Sequence, residues 1–275
     1  MKYRNIFIVL LVILSCRNPF GDKNKIERNR YREKSPIEIV HIKSINGKVE
    51  IIGWNEKIIE VETIKTVEKG FPGDIKLLDV FFKKNERELF ITTKIPTRIN
   101  GNIDLIIHLP FTLLKVFLNS NNGNIHIDNY LGDLELSEVN GETDIKFQGN
   151  ILRINADNAR LNLDINTHNS SDIVITNNKG LTNVKINTLG EDSFLDIKSN
   201  DGNIETYISE NISYLFNAIN KNEIKIDFEY QSQNHINGTY NFISGTKNKN
   251  KENITISLTN HNGLIVLKEL KKVLF

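Results

Sequence analysis

Between residues 116 and 165 the apolar positions come in alternating pairs, and the pairs recur at a fixed step. Val116 pairs with Leu118, Ile125 with Ile127, Leu134 with Leu136, Thr143 with Ile145, Leu152 with Ile154 and Leu161 with Leu163. Each pair starts nine residues after the one before. Alternation with period two predicts a strand with one apolar face. The few residues left between pairs predict a turn. After the longer polar stretch "NTHNSSD", the pattern resumes with Ile173/Ile175, Val184/Ile186, Leu195/Ile197 and Ile204/Thr206, at spacings of eleven, eleven and nine.

The turns carry a second rhythm. Asn122-Gly123 and Asn140-Gly141 lie 18 residues apart, and Asn158-Ala159 falls 18 further on. Asn46-Gly47, Asp201-Gly202 and Asn262-Gly263 mark the same kind of corner outside this run. The intervening turns differ from these, as in Gly132-Asp133 and Gly149-Asn150. Alternate turns are therefore alike, and the structural unit is two strands in about 18 residues. An antiparallel meander with Asn-Gly hairpins would also read this way. Equal unit length is a demand of stacking, however, and a meander does not impose it. The pattern predicts an all-β fold, a parallel β-solenoid (β-helix-like) with short strands at nine-residue steps, two per coil. Insertions at 166–172 and 187–193 are expected to bulge outward from corners. Weaker copies flank the run at Val40/Ile42, Val49/Ile51, Ile224/Ile226 and Ile254/Ile256. Residues 70–112 read as longer strands, and 229–253 as a loop or hairpin. Residues 37–275 are expected to form one domain, with Trp54 capping the first coil.

Composition supports strands over helices. The chain has only three alanines (Ala156, Ala159, Ala218), whereas Ile and Asn abound. A formal net charge of +1 offers no nucleic-acid footprint. The first residues belong to targeting. Lys2 and Arg4 precede an unbroken apolar run from Ile6 to Leu14, too short to span a membrane as a helix, and then Ser15 and Cys16. Cys16 is the single cysteine, so no internal disulfide is open to it. "ILSC" resembles the lipobox of bacterial lipoproteins. That resemblance implies a signal peptide over 1–15, diacylation (palmitate-type) of Cys16 as its lipidation site, and a membrane partner through the N-terminal lipid. The basic stretch 17–36 reads as a flexible tether.

The stretches "IKSINGKVEIIGW", "IDLIIHLP", "FLNSNNGNIHIDNYLGDLELSEVNGETDI" and "LTNHNGLIVL" resemble, in that order, the bacterial putative-adhesin family of β-strand repeats. The likeness covers most of 37–267. Asn158-Ala159, where a glycine is usual, and the 229–253 excursion depart from it. The resemblance implies an adhesive role at the cell envelope, on the outer membrane or cell surface rather than the inner membrane. A protein or glycan ligand would be its partner.

Candidate chemistry is sparse. His126 and Asp128 flank Ile127 and share an outer face, yet no third ligand stands near them in sequence. No Gly-x-Ser-x-Gly elbow, phosphate loop or calcium nonapeptide is present. The expectation is a non-catalytic binding or scaffold module without cofactor or metal. The alternatives are a polysaccharide-active β-helix enzyme, with outward Asp128, Glu135, Asp144, Asp164 or Asp196 as its acids, and a structural envelope component polymerising end to end.

Overall fold

The computed structural model describes residues 25–69, 73–237, 240–248 and 253–270. Among these the chain forms β1 (Lys25–Glu33), β2 (Ile39–Asn46), β3 (Val49–Trp54), β4 (Ile59–Lys69), β5 (Asp79–Asn85), β6 (Glu88–Lys94) and β7 (Asn100–Pro110). The repeat proper follows as β8 (Lys115–Asn122), β9 (Ile125–Tyr130), β10 (Asp133–Phe147), β11 (Ile151–Asn166), β12 (Asp172–Lys179), β13 (Leu181–Thr188), β14 (Phe194–Ser199) and β15 (Asn203–Ser209). The C-terminal strands are β16 (Tyr214–Asn220), β17 (Ile224–Asp227), β18 (Gln231–Asn237), β19 (Tyr240–Lys247), β20 (Thr255–Asn260) and β21 (Ile265–Leu270).

The repeat pairs in parallel, not as hairpins. Leu134 lies between Val116 and Leu152, and Thr143 lies between Ile125 and Leu161. Residues 18 apart in sequence are therefore neighbours across the ladder. A first row of inward residues runs Leu89, Val40, Val116, Leu134, Leu152, Ile173, Leu195, Ile256, Phe216. A second runs Leu105, Val49, Ile125, Thr143, Leu161, Thr182, Ile204, Ile265, Ile224. All but Ile224 are buried, and they belong to the continuous core between the two rows. Burying this apolar surface is the main stabilising term.

The strands are longer than expected at one bend. β10 and β11 pass from the first row to the second as single bent strands of 15 and 16 residues. The corner there is a continuation of the ladder, with Gly141 still opposite Ala159. The phase beyond residue 172 also needs correction. Thr182, not Val184, follows Leu161 in the second row. Thr182 is fully buried, so a threonine occupies an inward position and hides the repeat. With that change the step from first row to second stays at nine: Ile173 to Thr182, and Leu195 to Ile204. The extra residues fall in the other bend, around 167–171 and 189–193.

Spatial order departs from chain order at both ends. β6 and β7 flank β2 and β3 on the side away from β8 and β9. At the other end β20 and β21 slot between β14–β15 and β16–β17. Antiparallel strands lie beyond three of the four row ends, β5 on β6, β4 and β1 on β7, and β19 and β18 on β16, while β17 at the fourth pairs with β21 alone among the described residues. The 229–253 excursion thus contains a hairpin, β18–β19. Trp54 is no end cap. It lies in β3, its ring is 4.8 Å from that of His108, and its indole N–H donates to the Ile58 carbonyl at 2.9 Å.

The tether expected over 17–36 is interrupted by β1. This strand has no apolar period, which is why the pattern missed it. Its backbone pairs with β4 along nine residues. Its arginines meet the glutamates of β4: Arg30 lies 3.3 Å and Arg32 2.5 Å from the Glu60 carboxylate. Tyr31 stacks on Phe82 with ring centroids 4.1 Å apart. The signal peptide over 1–15 and Cys16 lie outside the described residues.

Candidate functional site: a groove on the first sheet

Register decides which outward side chains meet. One residue after each inward residue of the first row, Phe90, His41, Phe117, Glu135, Arg153 and Val174 line up across neighbouring strands. Two residues further on, Thr92, Lys43, Asn119, Ser137, Asn155 and Thr176 form a parallel row. The first row is bulky and the second mostly small. The difference leaves an open groove of about 620 Å³ bordered by both.

The wall is an aromatic ladder continued by ion pairs. The His41 ring stacks between Phe90 and Phe117 at 4.5 and 4.9 Å, with planes within 4° and 3° of parallel. Strands about 4.8 Å apart impose this spacing. Lys115 places its ammonium 4.5 Å from the Phe117 ring centroid and pairs with Glu135. Arg153 pairs with the Asp172 carboxylate and donates to its carbonyl at 2.6 Å. His41 Nε2 lies 3.5 Å from Glu88 but makes no hydrogen bond. His41 has a ring on each face, and Phe117 has His41 and the Lys115 ammonium against it, so these rings meet the groove at their edges.

The floor behaves differently. Asn119, Ser137, Asn155 and Thr176 make no side-chain hydrogen bond among the described residues. Lys43, in the same row, is exposed.

The outer face of the second row is lined by alternating charges. There Asp128, Lys146, Asp164, Lys185, Tyr207, Lys268 and Asp227 succeed one another. Lys146 lies 3.3 Å from Asp128, and Lys185 lies 3.9 Å from Asp164. Beside them Asn162 donates to Asp144 at 2.9 Å and Asn183 to Asn162 at 3.1 Å. The five candidate acids are therefore dispersed and engaged. Asp128, Asp144 and Asp164 sit on this face, while Glu135 and Asp196 sit on the first sheet, with Lys198 2.6 Å from Asp196. His126 faces Asp144 across the ladder and Asp128 is paired with Lys146.

The predicted corner residues do come together. Asn122 donates to Asn46 at 3.2 Å, Asn140 to Asn122 at 3.3 Å and Asn158 to Asn140 at 3.3 Å. Asn262 donates to Asp201 at 2.7 Å. Beside them Gly123 lies against the Gly47 backbone, and Gly263 against that of Gly202. Sequence reasoning missed the groove because its wall draws on residues 41, 90 and 117. The available signal was their shared offset: each stands one residue after an inward apolar residue.

No protein family matches the chain, and no curated protein sequence matches it. Solved structures give a distant likeness. One is a putative adhesin from Bacteroides fragilis NCTC 9343, with 11% identity, 90% of this chain and 99% of that chain covered, and a TM-score of 0.43. A putative adhesin from Parabacteroides merdae ATCC 43184 gives 12% identity, 90% and 97% coverage, and a TM-score of 0.41. A putative cell adhesion protein from Clostridium sporogenes ATCC 15579 gives 15% identity, 90% and 100% coverage, and a TM-score of 0.33. These names match the family that the sequence motifs resemble.

Proposed function

We propose that this protein is a lipid-anchored, non-catalytic binding module of the bacterial cell envelope, folded as a parallel β-solenoid. The observation that carries the reading is the groove on the first sheet: a formed, solvent-open surface whose floor side chains bond to no protein group among the described residues, on a scaffold whose other face carries ion pairs. Catalysis by paired carboxylates is disfavoured, because among the described residues Glu135 is the one acid lining the groove and it is held by Lys115. At the end formed by β6 and β7, the antiparallel strands disfavour end-to-end polymerisation. The outermost β1 and β5 carry Arg28, Arg30, Arg32, Lys83 and Lys84, and charged edges resist further pairing.

Anchoring through Cys16 would keep the body close to its membrane. Only residues 17–24 separate the cysteine from β1. Fully extended, they reach no more than about 29 Å. Phase partition tests the anchor: the wild type is expected in detergent and Cys16→Ala in the aqueous phase. A variant that stays in detergent overturns it. Beads coated with the protein test the binding role on immobilised bacteria, peptidoglycan sacculi and mucin. Retention on at least one surface, lost when Ser137→Trp fills the groove, is the expected result. Equal retention of wild type and variant would remove the groove from the function.

A further inference from the structure

We propose that the groove binds a linear, hydroxyl-rich polysaccharide laid along the stacking direction, across the strands. The proposal rests on the binding-module reading and names its ligand class. Three features of the site select this chemistry. The floor presents Asn119, Ser137, Asn155 and Thr176 on four successive strands, none of them hydrogen-bonded among the described residues. Amides and hydroxyls both donate and accept, as sugar hydroxyls do. They repeat at about the 4.8 Å strand spacing. An extended hexopyranose chain advances by roughly one such spacing per sugar, so successive sugars meet successive rungs.

The second feature excludes the commonest alternative. A peptide recognised by strand addition needs an unpaired backbone edge. β2, β8, β10, β11 and β12 are each paired on both sides, so this surface has no such edge. Recognition here must come from side chains. The third is the wall. Phe90, His41 and Phe117 offer ring edges, and the positive edge of the aromatic quadrupole suits sugar oxygens lying alongside. Both faces of the His41 ring are taken by Phe90 and Phe117, so its contact with a sugar is through the ring edge. The floor therefore supplies specificity and the wall confines the chain.

Calorimetric titration of the purified protein with cellohexaose, xylohexaose and chitohexaose, and with the matching trimers, tests this. At least one hexaose is expected to bind, with affinity at least tenfold above its trimer because more rungs are engaged. The double variant Asn119→Ala, Asn155→Ala should bind that hexaose at least tenfold more weakly at an unchanged melting temperature. Ser137→Trp, which blocks the floor by bulk, should abolish binding and serves if the double variant fails to fold. No binding of any hexaose by the wild type overturns the proposal, as does equal binding by trimer and hexaose or by wild type and floor variants. If Ser137→Trp beads lose retention while no glycan binds, the module reading survives and the polysaccharide falls.

Discussion

From the first row to the second the chain takes nine residues in seven strand pairs, from Val40–Val49 through Leu152–Leu161 to Ile256–Ile265, while the end pairs Leu89–Leu105 and Phe216–Ile224 take sixteen and eight. The way back takes nine residues from Ile125 to Leu134, but twelve from Leu161 to Ile173 and thirteen from Thr182 to Leu195. The two bends thus tolerate length differently. At the first bend, successive backbones touch. A Cβ on Gly123, whose φ is +143°, would stand 2.0 Å from the Gly47 carbonyl oxygen, and one on Gly202 would stand 1.8 Å from that of Gly180. Buried side chains cap the carbonyls there: Asn177 on Ala159 at 2.9 Å, Asn260 on Gly202 at 2.7 Å and Asn220 on Gly263 at 2.9 Å. At the return bend, Ser171 and Ser193 hold an inner hydroxyl contact at 3.0 Å, while His168, Asn169, Ser170, Glu191 and Asp192 stand out in solvent. Close glycine contacts occur at both bends, since a Cβ on Gly149 or Gly190 would stand 2.3 Å from the Gly132 or Asn169 carbonyl oxygen; what distinguishes the return bend is the exposed loop above the serine anchor, which takes up extra residues.

An insertion tests this most severely. Gly-Ser-Gly placed after Gly141 would part the backbones of β10 from their neighbours and shift inward residues to the outer face. A loss of more than about 4 kcal/mol, or failure to fold, is expected. The same insertion after Glu191 should change stability by less than about 1 kcal/mol, since lengthening a solvated loop adds little closure entropy. Urea unfolding of both variants gives the comparison directly. Equal tolerance at the two sites would erase the distinction.

Within the first bend, the buried caps and the exposed asparagine ladder can be ranked. Asn260→Ala strands the Gly202 carbonyl and the Gly263 N–H that donates to Asn260 at 3.2 Å. Leaving buried groups unpaired costs about 2–3 kcal/mol. Asn140→Ala removes two amide contacts at an exposed position, where water replaces them, and should cost about 1 kcal/mol or less. Denaturation midpoints of the two variants check the order. The reverse order would make the outer ladder, not the inner caps, the clamp of this bend.

Much of this contrast is visible in the sequence, and the reason is periodicity. Wherever both rows carry Ile, Val or Leu, as in 116–163, nine-residue spacing reveals the strands and the Asn-Gly step reveals the corner. It fails where chemistry changes without geometry changing. Thr182 sits inward as Ile or Leu would, and it is held by Asn177 at 3.1 Å, so the apolar pattern skips it. β1 pairs through backbone and arginine–glutamate contacts, so no apolar signal announces it. The end coils are inserted out of chain order, which no local pattern encodes. The groove depends on the same long-range register: His41 and Phe117 touch because β2 and β8 are neighbours, across β3 to β7 in sequence.

Alkaline titration separates the bends most gently. Tyr130 stands at the return bend, buried, with its hydroxyl donating to the Asp133 carbonyl at 3.2 Å. Burial, and then the nearby Asp133 charge, push its pKa well up. Burial and Glu33 likewise push Tyr31 up to about 12. A pKa raised in the fold means that the neutral phenol is favoured there. The stability is complete below the unfolded value near 10 and is lost as pH rises from there toward the folded value. Wild type is therefore expected to be constant in this respect up to about pH 10 and to weaken beyond it, by about 1 kcal/mol at pH 11 for a buried tyrosine. Tyr130→Phe gives up its hydrogen bond, about 1 kcal/mol at pH 7, but should show a shallower alkaline decline. The gap between the two proteins in melting temperature should then narrow between pH 10 and 11. Parallel declines would mean that Tyr130 does not govern the return bend at high pH, and that the alkaline loss arises at Tyr31 or Tyr214, whose pKa burial also raises.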